Sequence, residues 1–447
     1  MATRVVIVRH GQSTYNARKL IQGRSDESIL TERGCADAAK VAAALQGLPF
    51  TALYHSPLQR AAQTAAIIHE HLSPAPTLIA SDQLLEIDLP LWEKLSRPEV
   101  REQFPGEYEQ WQQQPDAFSM QVGDRQHYPV RALYDQAQTF WQTVLPKHAG
   151  ETILIVAHNG INRCLLLKAL GMTPARYQTL QQSNCCLNIL NFKGGWGEPV
   201  QLESLNQVAH LGHAMPKPRP PGTPVRLLLV RHGETEWNRV SRFQGAMDIP
   251  LNEVGRNQAR QAAAFLREVP LNFAASSPLL RPKETAEIIL ESHPGLELRL
   301  DQRLCEISHG LWEGKFEREI ATEYPELLQR WKEAPETVQM PSGENLRQVW
   351  QRAIAAWQDL VQAADAQGSL EQPTIGLVVA HDAVNKVILC HLLGLEPKDF
   401  WAIKQGNGAV SVIDYPEGPD GLPILQAINL TAHLGTGVLD RTAAGAL

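Results

Sequence analysis

RVVIVRHGQSTYN, from Arg4 to Asn16, and RLLLVRHGETEWN, from Arg226 to Asn238, are the same sentence written twice in one chain. Each is an aliphatic run that stops abruptly at Arg-His-Gly. A short continuous apolar run of this kind reads as a buried strand. Its carboxyl end delivers a cation, an imidazole and a permissive backbone into a crevice. Such a place suits an anion.

The repetition extends well beyond the motif. His10 and His232, Ser56-Pro57-Leu58 and Ser277-Pro278-Leu279, and His158 and His381 recur at a nearly constant offset, and Leu205–Leu211 is answered by Ile428–Leu434. A period this long means a tandem of whole domains rather than a solenoid. At 447 residues and 43% hydrophobic, the chain can bury two full cores. We place the domains at 1–212 and 225–435. Between them, residues 213–224 are rich in proline, which favours a stiff extended connector. Residues 436–447 have no counterpart in the first copy and little to bury, so a loosely ordered tail is expected.

Composition narrows the partners. The net charge is −7 with no block of Lys or Arg, which argues against nucleic acid. The six cysteines form no CxxC pair, which suits a reducing cytoplasm. With the first strand beginning by Arg4 no leader is expected, and no apolar stretch approaches the ~20 residues that span a bilayer. No membrane partner is expected, and the oligomeric state stays open.

Within the first half, strands at 4–8, near 51–54, near 77–80 and at 152–157 alternate with helices at about 32–46, 58–71, 97–113 and 130–145 and one starting at Gly160. This rhythm indicates an α/β fold with a mainly parallel sheet covered on both faces. Two further runs, 182–192 and 199–205, read as a closing antiparallel hairpin. His69-Glu70-His71 brings no further ligands with metal spacing and ends a helix. Gly406-Asn407-Gly408 is a turn without a nucleotide fingerprint.

The chemistry gathers at strand ends and helix starts: Arg9, His10, Arg60, Glu86 and His158 in the first half, Arg231, His232, Arg281, Glu306 and His381 in the second. Around them stand Asn16, Gln22-Gly23, Thr64-Ala65 and Ala157-His158, matched by Asn238, Gln244-Gly245, Thr285-Ala286 and Ala380-His381. In this order, twice over, these elements resemble the histidine phosphatase superfamily, which has the phosphoglycerate-mutase-like fold. The resemblance implies two tandem three-layer α/β/α domains. It also implies a phosphomonoesterase that acts through a phosphohistidine on a small phosphorylated metabolite, with no metal and no other cofactor.

The residue chemistry fits such a reaction. An imidazole nitrogen can attack phosphorus in line, and a planar guanidinium fork can hold the non-bridging oxygens throughout. By resemblance His10 and His232 are the nucleophiles, and Glu86 and Glu306 supply the proton for the leaving group. Arg9, Asn16, Arg60 and His158, with Arg231, Asn238, Arg281 and His381, bind phosphate. Gln22, Gly23, Gln244 and Gly245 face the substrate.

The halves differ around this set. The second has Gly310–Gly314 and Pro341–Asn345, both familiar in the superfamily's small-molecule phosphatases. The first instead has Arg125, His127 and Arg131 beside a helix start, a combination that favours a second anion on the substrate. Its segments Glu86–Leu89, Gln114–Phe118 and Gln182–Cys185 also resemble the branch of the superfamily that dephosphorylates sugar acids such as 2-carboxyarabinitol 1-phosphate. The alternatives are a phosphoglycerate mutase, or one active half beside a regulatory or scaffold half. The mutase stretch that follows the glutamate is absent from Leu84–Leu91 and Leu304–Leu311, and both halves carry the complete motif.

Overall fold

A computed structural model of the chain describes residues 2–213, 215–217, 224–368 and 373–443. It divides into two compact units, Met1–Pro216 and Lys217–Leu447. Most of the proline-rich connector, 218–223 together with Ala214, lies outside the described residues, as does the end of the tail from residue 444.

The first unit contains strands β1 (Thr3–Arg9), β2 (Phe50–His55), β3 (Thr77–Ala80), β4 (Met120–Val122), β5 (Arg125–His127), β6 (Thr152–Ala157), β7 (Leu187–Phe192) and β8 (Val200–Gln207). Six of them make one sheet in the order β3-β2-β6-β1-β7-β8. The first four in that order run parallel, and β7 and β8 close the sheet as the antiparallel hairpin read from the sequence. The second unit repeats this with β9 (Val225–Arg231), β10 (Phe273–Ser276), β11 (Leu298–Leu300), β12 (Thr374–Ala380), β13 (Val410–Tyr415) and β14 (Ile424–Leu430), in the order β11-β10-β12-β9-β13-β14. The aliphatic runs that open each half are the central strands. Val5 to Val8, and Leu227 to Val230, are buried completely, as expected of a strand covered on both faces.

Register decides where the chemistry goes. Arg9 pairs with Ala157 and His55 with Val156, so the next residues along the chain, His10, His158 and Ser56, emerge together at the carboxyl edge of three parallel strands. In the second unit Arg231 pairs with Ala380 and Ser276 with Val379, which brings out His232, His381 and Ser277 in the same way. Open α/β sheets bind ligands at this edge.

Helices Glu32–Leu45 and Glu253–Leu266 begin at Thr31 and Asn252, whose side chains accept from the amides of Gly34 and Gly255. The helix expected over 97–113 is two helices, Arg97–Gln103 and Pro105–Gln113. Pro105 disfavours helical geometry at the residue before it, and Phe104 takes φ −133° and ψ 57°. Proline then serves as a first helical residue, where its missing N–H costs nothing.

The tail departs from expectation over its described part. Asp440 is buried, with Asn429 Nδ2 donating to Oδ2 at 3.1 Å, Thr442 N donating to Oδ1 at 2.9 Å, and Lys404 Nζ at 3.4 Å from Oδ2. One buried carboxylate with several donors is enough to dock a segment poor in apolar residues. Among the described residues no helix is long and apolar enough to cross a membrane.

Candidate active site

His10 sits directly after β1, with its Nδ1 2.7 Å from the carbonyl oxygen of Gly11. A carbonyl only accepts, so Nδ1 carries the proton and Nε2 presents its lone pair to the crevice. His232 repeats the contact with Gly233, again at 2.7 Å. Both imidazoles are held well below their ordinary pKa. Burial is the main cause, followed by the neighbouring guanidinium charges of Arg9 and Arg60 in the first unit and of Arg281 and Arg231 in the second. Each ring is therefore neutral at physiological pH.

A second imidazole faces each of these. The His10 and His158 ring centroids are 5.1 Å apart, and those of His232 and His381 are 5.2 Å apart. His158 Nε2 lies 2.7 Å from Ser56 Oγ and His381 Nε2 2.9 Å from Ser277 Oγ, while the Nδ1 atoms of both are buried without a partner. The serine sets the ring and leaves Nδ1 free to donate to or accept from a ligand.

Arginines complete the pocket. Arg60 and Arg281 are almost wholly inaccessible to solvent, and neither forms an ion pair among the described residues. Their Nη atoms donate instead to backbone carbonyls: Arg60 to Ser25 at 2.8 Å and Gly23 at 2.9 Å, Arg281 to Met247 at 2.9 Å and Gly245 at 2.8 Å. Arg281 Nε points at His232 Nε2, 3.3 Å away, and Arg60 Nε is buried without a partner. Burial of an uncompensated cation is costly. It pulls the Arg281 pKa down to about 10. A dianion placed between the imidazoles would relieve that cost. Arg9 and Arg231 join from the strand ends, donating to Gln182 O at 2.8 Å and Gln405 O at 2.6 Å.

Gly23 and Gly245 shape this tether. They have φ of 52° and 59°, and a Cβ on either would stand 2.4 or 2.3 Å from the carboxylate of Glu93 or Glu313. Only glycine lets the loop lie against that glutamate and hand its carbonyl to the arginine. Asn16 and Gln22 meet at Ser13, whose amide donates to Asn16 Oδ1 and whose hydroxyl donates to Gln22 Oε1, and Asn238 and Gln244 meet in the same way at Thr235.

Glu86 lies at the start of helix Asn159–Ala169. The amides of Ile87 (2.8 Å) and Ile161 (3.1 Å) donate to its Oε1, and that of Gly160 (3.1 Å) to its Oε2. Glu306 accepts from Ile307 N at 3.0 Å and Ala383 N at 3.3 Å. Burial, reinforced by the charge of Asp382, raises the Glu306 pKa. The Glu306 backbone is fixed by Arg352, itself paired with Glu344 of the Pro341–Asn345 segment, whereas Arg24 Nε reaches Glu86 O at 3.1 Å in the first unit.

The remaining expected residues form none of the hydrogen bonds that join the histidines, arginines and glutamates described above. Arg125 and Arg131 are exposed, and Arg131 lies over the ring of Tyr128 at 5.1 Å. His127 reaches only the edge, with Nε2 3.1 Å from the Asp88 carbonyl. Conversely, Asn184 and Asn407 were not anticipated. Asn184 Nδ2 donates to His10 O at 3.0 Å and Asn16 Oδ1 at 3.1 Å, and Asn407 Nδ2 to His232 O at 3.2 Å. The turn read at Gly406–Gly408 thus carries a side chain that braces the His232 backbone. Thr64 and Thr285 do the same work from below, accepting from the amides of Gly11 and Gly233.

The histidine phosphatase superfamily (branch 1) matches residues 5–204 and 227–426, and the chain belongs to that superfamily. It is a phosphatase built from two tandem domains of this kind. It is 33% identical to 2-carboxy-D-arabinitol-1-phosphatase of Triticum aestivum, over 97% of this chain and 87% of that one. It is 36% identical to phosphoserine phosphatase 1 of Hydrogenobacter thermophilus, over 47% of this chain and 95% of that one. Among solved structures, Bacillus stearothermophilus YhfR is 30% identical with a TM-score of 0.43, covering 47% of this chain and 99% of its own.

Proposed function

We propose that each unit hydrolyses small phosphomonoesters through its own phosphohistidine. The observation that carries this reading is the fixed tautomer of His10 and His232, whose Nδ1 faces a backbone carbonyl so that Nε2 keeps its lone pair in a pocket of buried guanidinium groups, the lone pair of His232 facing Arg281 Nε. Nε2 attacks phosphorus and the bond to the leaving oxygen breaks. Glu86 or Glu306 protonates that oxygen and then takes a proton from the water that opens the phosphoenzyme. Arg9, Asn16, Arg60 and His158, or Arg231, Asn238, Arg281 and His381, hold the non-bridging oxygens, where charge-assisted donors contribute most. The guanidinium cations among them do in the pocket what metal ions do in other phosphatases, so the chemistry requires no metal.

The wheat relative, matched along almost the whole chain, is named for a phosphorylated sugar acid, and a substrate bearing both phosphate and carboxylate is our reading for the first unit. Stereochemistry tests the mechanism directly. A phosphomonoester made chiral at phosphorus with oxygen isotopes should give inorganic phosphate with retained configuration, because two in-line displacements invert twice. Inversion would mean direct attack by water and would refute the phosphohistidine.

The second unit should show a distinct pH dependence. Glu306 must be protonated to act as the acid, and its raised pKa extends that state toward neutral pH. In a His10→Ala protein, Asp382→Asn removes a charge that raises the Glu306 pKa, and so lowers it. The alkaline limb of kcat/KM for the second unit should move to lower pH. An unmoved limb would assign the proton to another group.

A further inference from the structure

Five residues after the second histidine of each unit stands a basic residue, Arg163 or Lys386, and the two units treat it differently. In the second unit Lys386 is buried on helix Asp382–Leu393, with Nζ 2.6 Å from Asp382 Oδ2, and is covered by the rings of Phe400 (5.2 Å) and Trp401 (4.8 Å). That cation is neutralised within the protein. In the first unit Arg163 occupies the matching helical position, and Asn159 stands where Asp382 does. Among the described residues Arg163 forms no ion pair. Its Nη1 donates to Gln178 Oε1 at 3.0 Å, its guanidinium lies over Tyr177 at 5.2 Å, and its Nε is buried without a partner.

This group belongs to the Glu86 side of the pocket. A Cβ on Gly160 would stand 2.5 Å from Glu86 Oε1 and 2.6 Å from the Tyr177 hydroxyl, so the carboxylate, the phenol and the guanidinium line one wall. In the second unit Ala383 fills that space, and Phe400 replaces the phenol. The first unit's wall therefore lacks one negative charge that the second supplies itself. It also offers a planar donor fork and a hydroxyl, and these suit a planar carboxylate.

We infer that Arg163 is the specificity residue of the first unit. It takes a carboxylate on the leaving-group side of the phosphoester, whereas the second unit, with Lys386 already paired to Asp382, prefers an uncharged leaving group. The inference rests on the phosphomonoesterase reading above and moves carboxylate recognition from Arg125 and Arg131 to Arg163. A first-unit substrate thus carries a phosphate and a carboxylate within one small molecule.

The test compares 3-phosphoglycerate with glycerol 3-phosphate, which differ in that carboxylate, using the full chain carrying His232→Ala. Arg163→Met should lower the ratio of the two kcat/KM values about tenfold to a hundredfold, the range of one lost charge-assisted contact. Asn159→Asp keeps Arg163 and adds the second unit's neutralising partner, so it should lower the ratio in the same direction. In a His10→Ala protein, Asp382→Asn frees Lys386 and also unpairs Arg231, which acts on the phosphate common to both esters, so the second unit's ratio should rise. Unchanged ratios in these variants would overturn the inference. Failure of the His232→Ala protein to hydrolyse either ester would instead overturn the reading beneath it.

Discussion

Replacing both His10 and His232 by Ala should abolish phosphatase activity, with a fall in kcat of about 10⁴-fold or more, because no other group can accept the phosphoryl. Either single variant should keep the turnover of the unit left intact. The neutral, buried imidazoles place no charge in the pocket before attack, so their loss removes the nucleophile without leaving an unpaired ion. Folding should therefore survive in all three proteins, and unfolding curves run beside the assays check this. Activity in the double variant within tenfold of the parent would show that phosphorus is attacked by something else.

The second large effect lies in the buried arginines. With His10 or His232 removed from the other unit, Arg60→Ala or Arg281→Ala should lower kcat/KM by about 10²- to 10⁴-fold. Each guanidinium can donate two charge-assisted bonds to the transferring group, at about 1.5–3 kcal/mol per bond. These variants should also unfold more readily, because the carbonyls of Gly23 and Ser25, or of Gly245 and Met247, lose their donors. Arg281→Lys separates the two roles. It retains the charge but cannot reach two carbonyls and His232 at once, so it should recover part of the stability and little of the rate. A loss under threefold in kcat/KM for the alanine variants would remove these residues from phosphate binding.

Most of this architecture can be read directly from the residues. The aliphatic runs before Arg-His-Gly identify the central strands because a strand buried on both faces has no reason to alternate. Duplication then doubles the evidence for every landmark. The rest depends on tertiary approach. Asn184 lies 174 residues from the His10 carbonyl it braces, and nothing local marks it apart from other loop asparagines. Ser56 and Ser277 stand inside a recognisable motif, but their bond to the second imidazole follows from strand register.

Charge was the least legible feature. Arg125 and Arg131 are near a helix start in sequence yet face solvent, because proximity along a chain does not specify a side of the element. Arg163 looks like any helical arginine until Asn159, Tyr177 and Glu86 surround it. The tail's anchoring is not legible in the sequence because its contacts are mainly polar, through Asp440 and Thr442, rather than an apolar stripe.

The central claim is that the chain carries two independent phosphohistidine sites. It is tested most directly by quenching the enzyme in alkali during turnover of a small phosphomonoester and mapping the bound phosphate by peptide mass. The account predicts phosphate on His10 and on His232 in the parent protein, on His232 alone after His10→Ala, on His10 alone after His232→Ala, and on neither in the double variant. Phosphate trapped on any other residue, or surviving in the double variant, would contradict it.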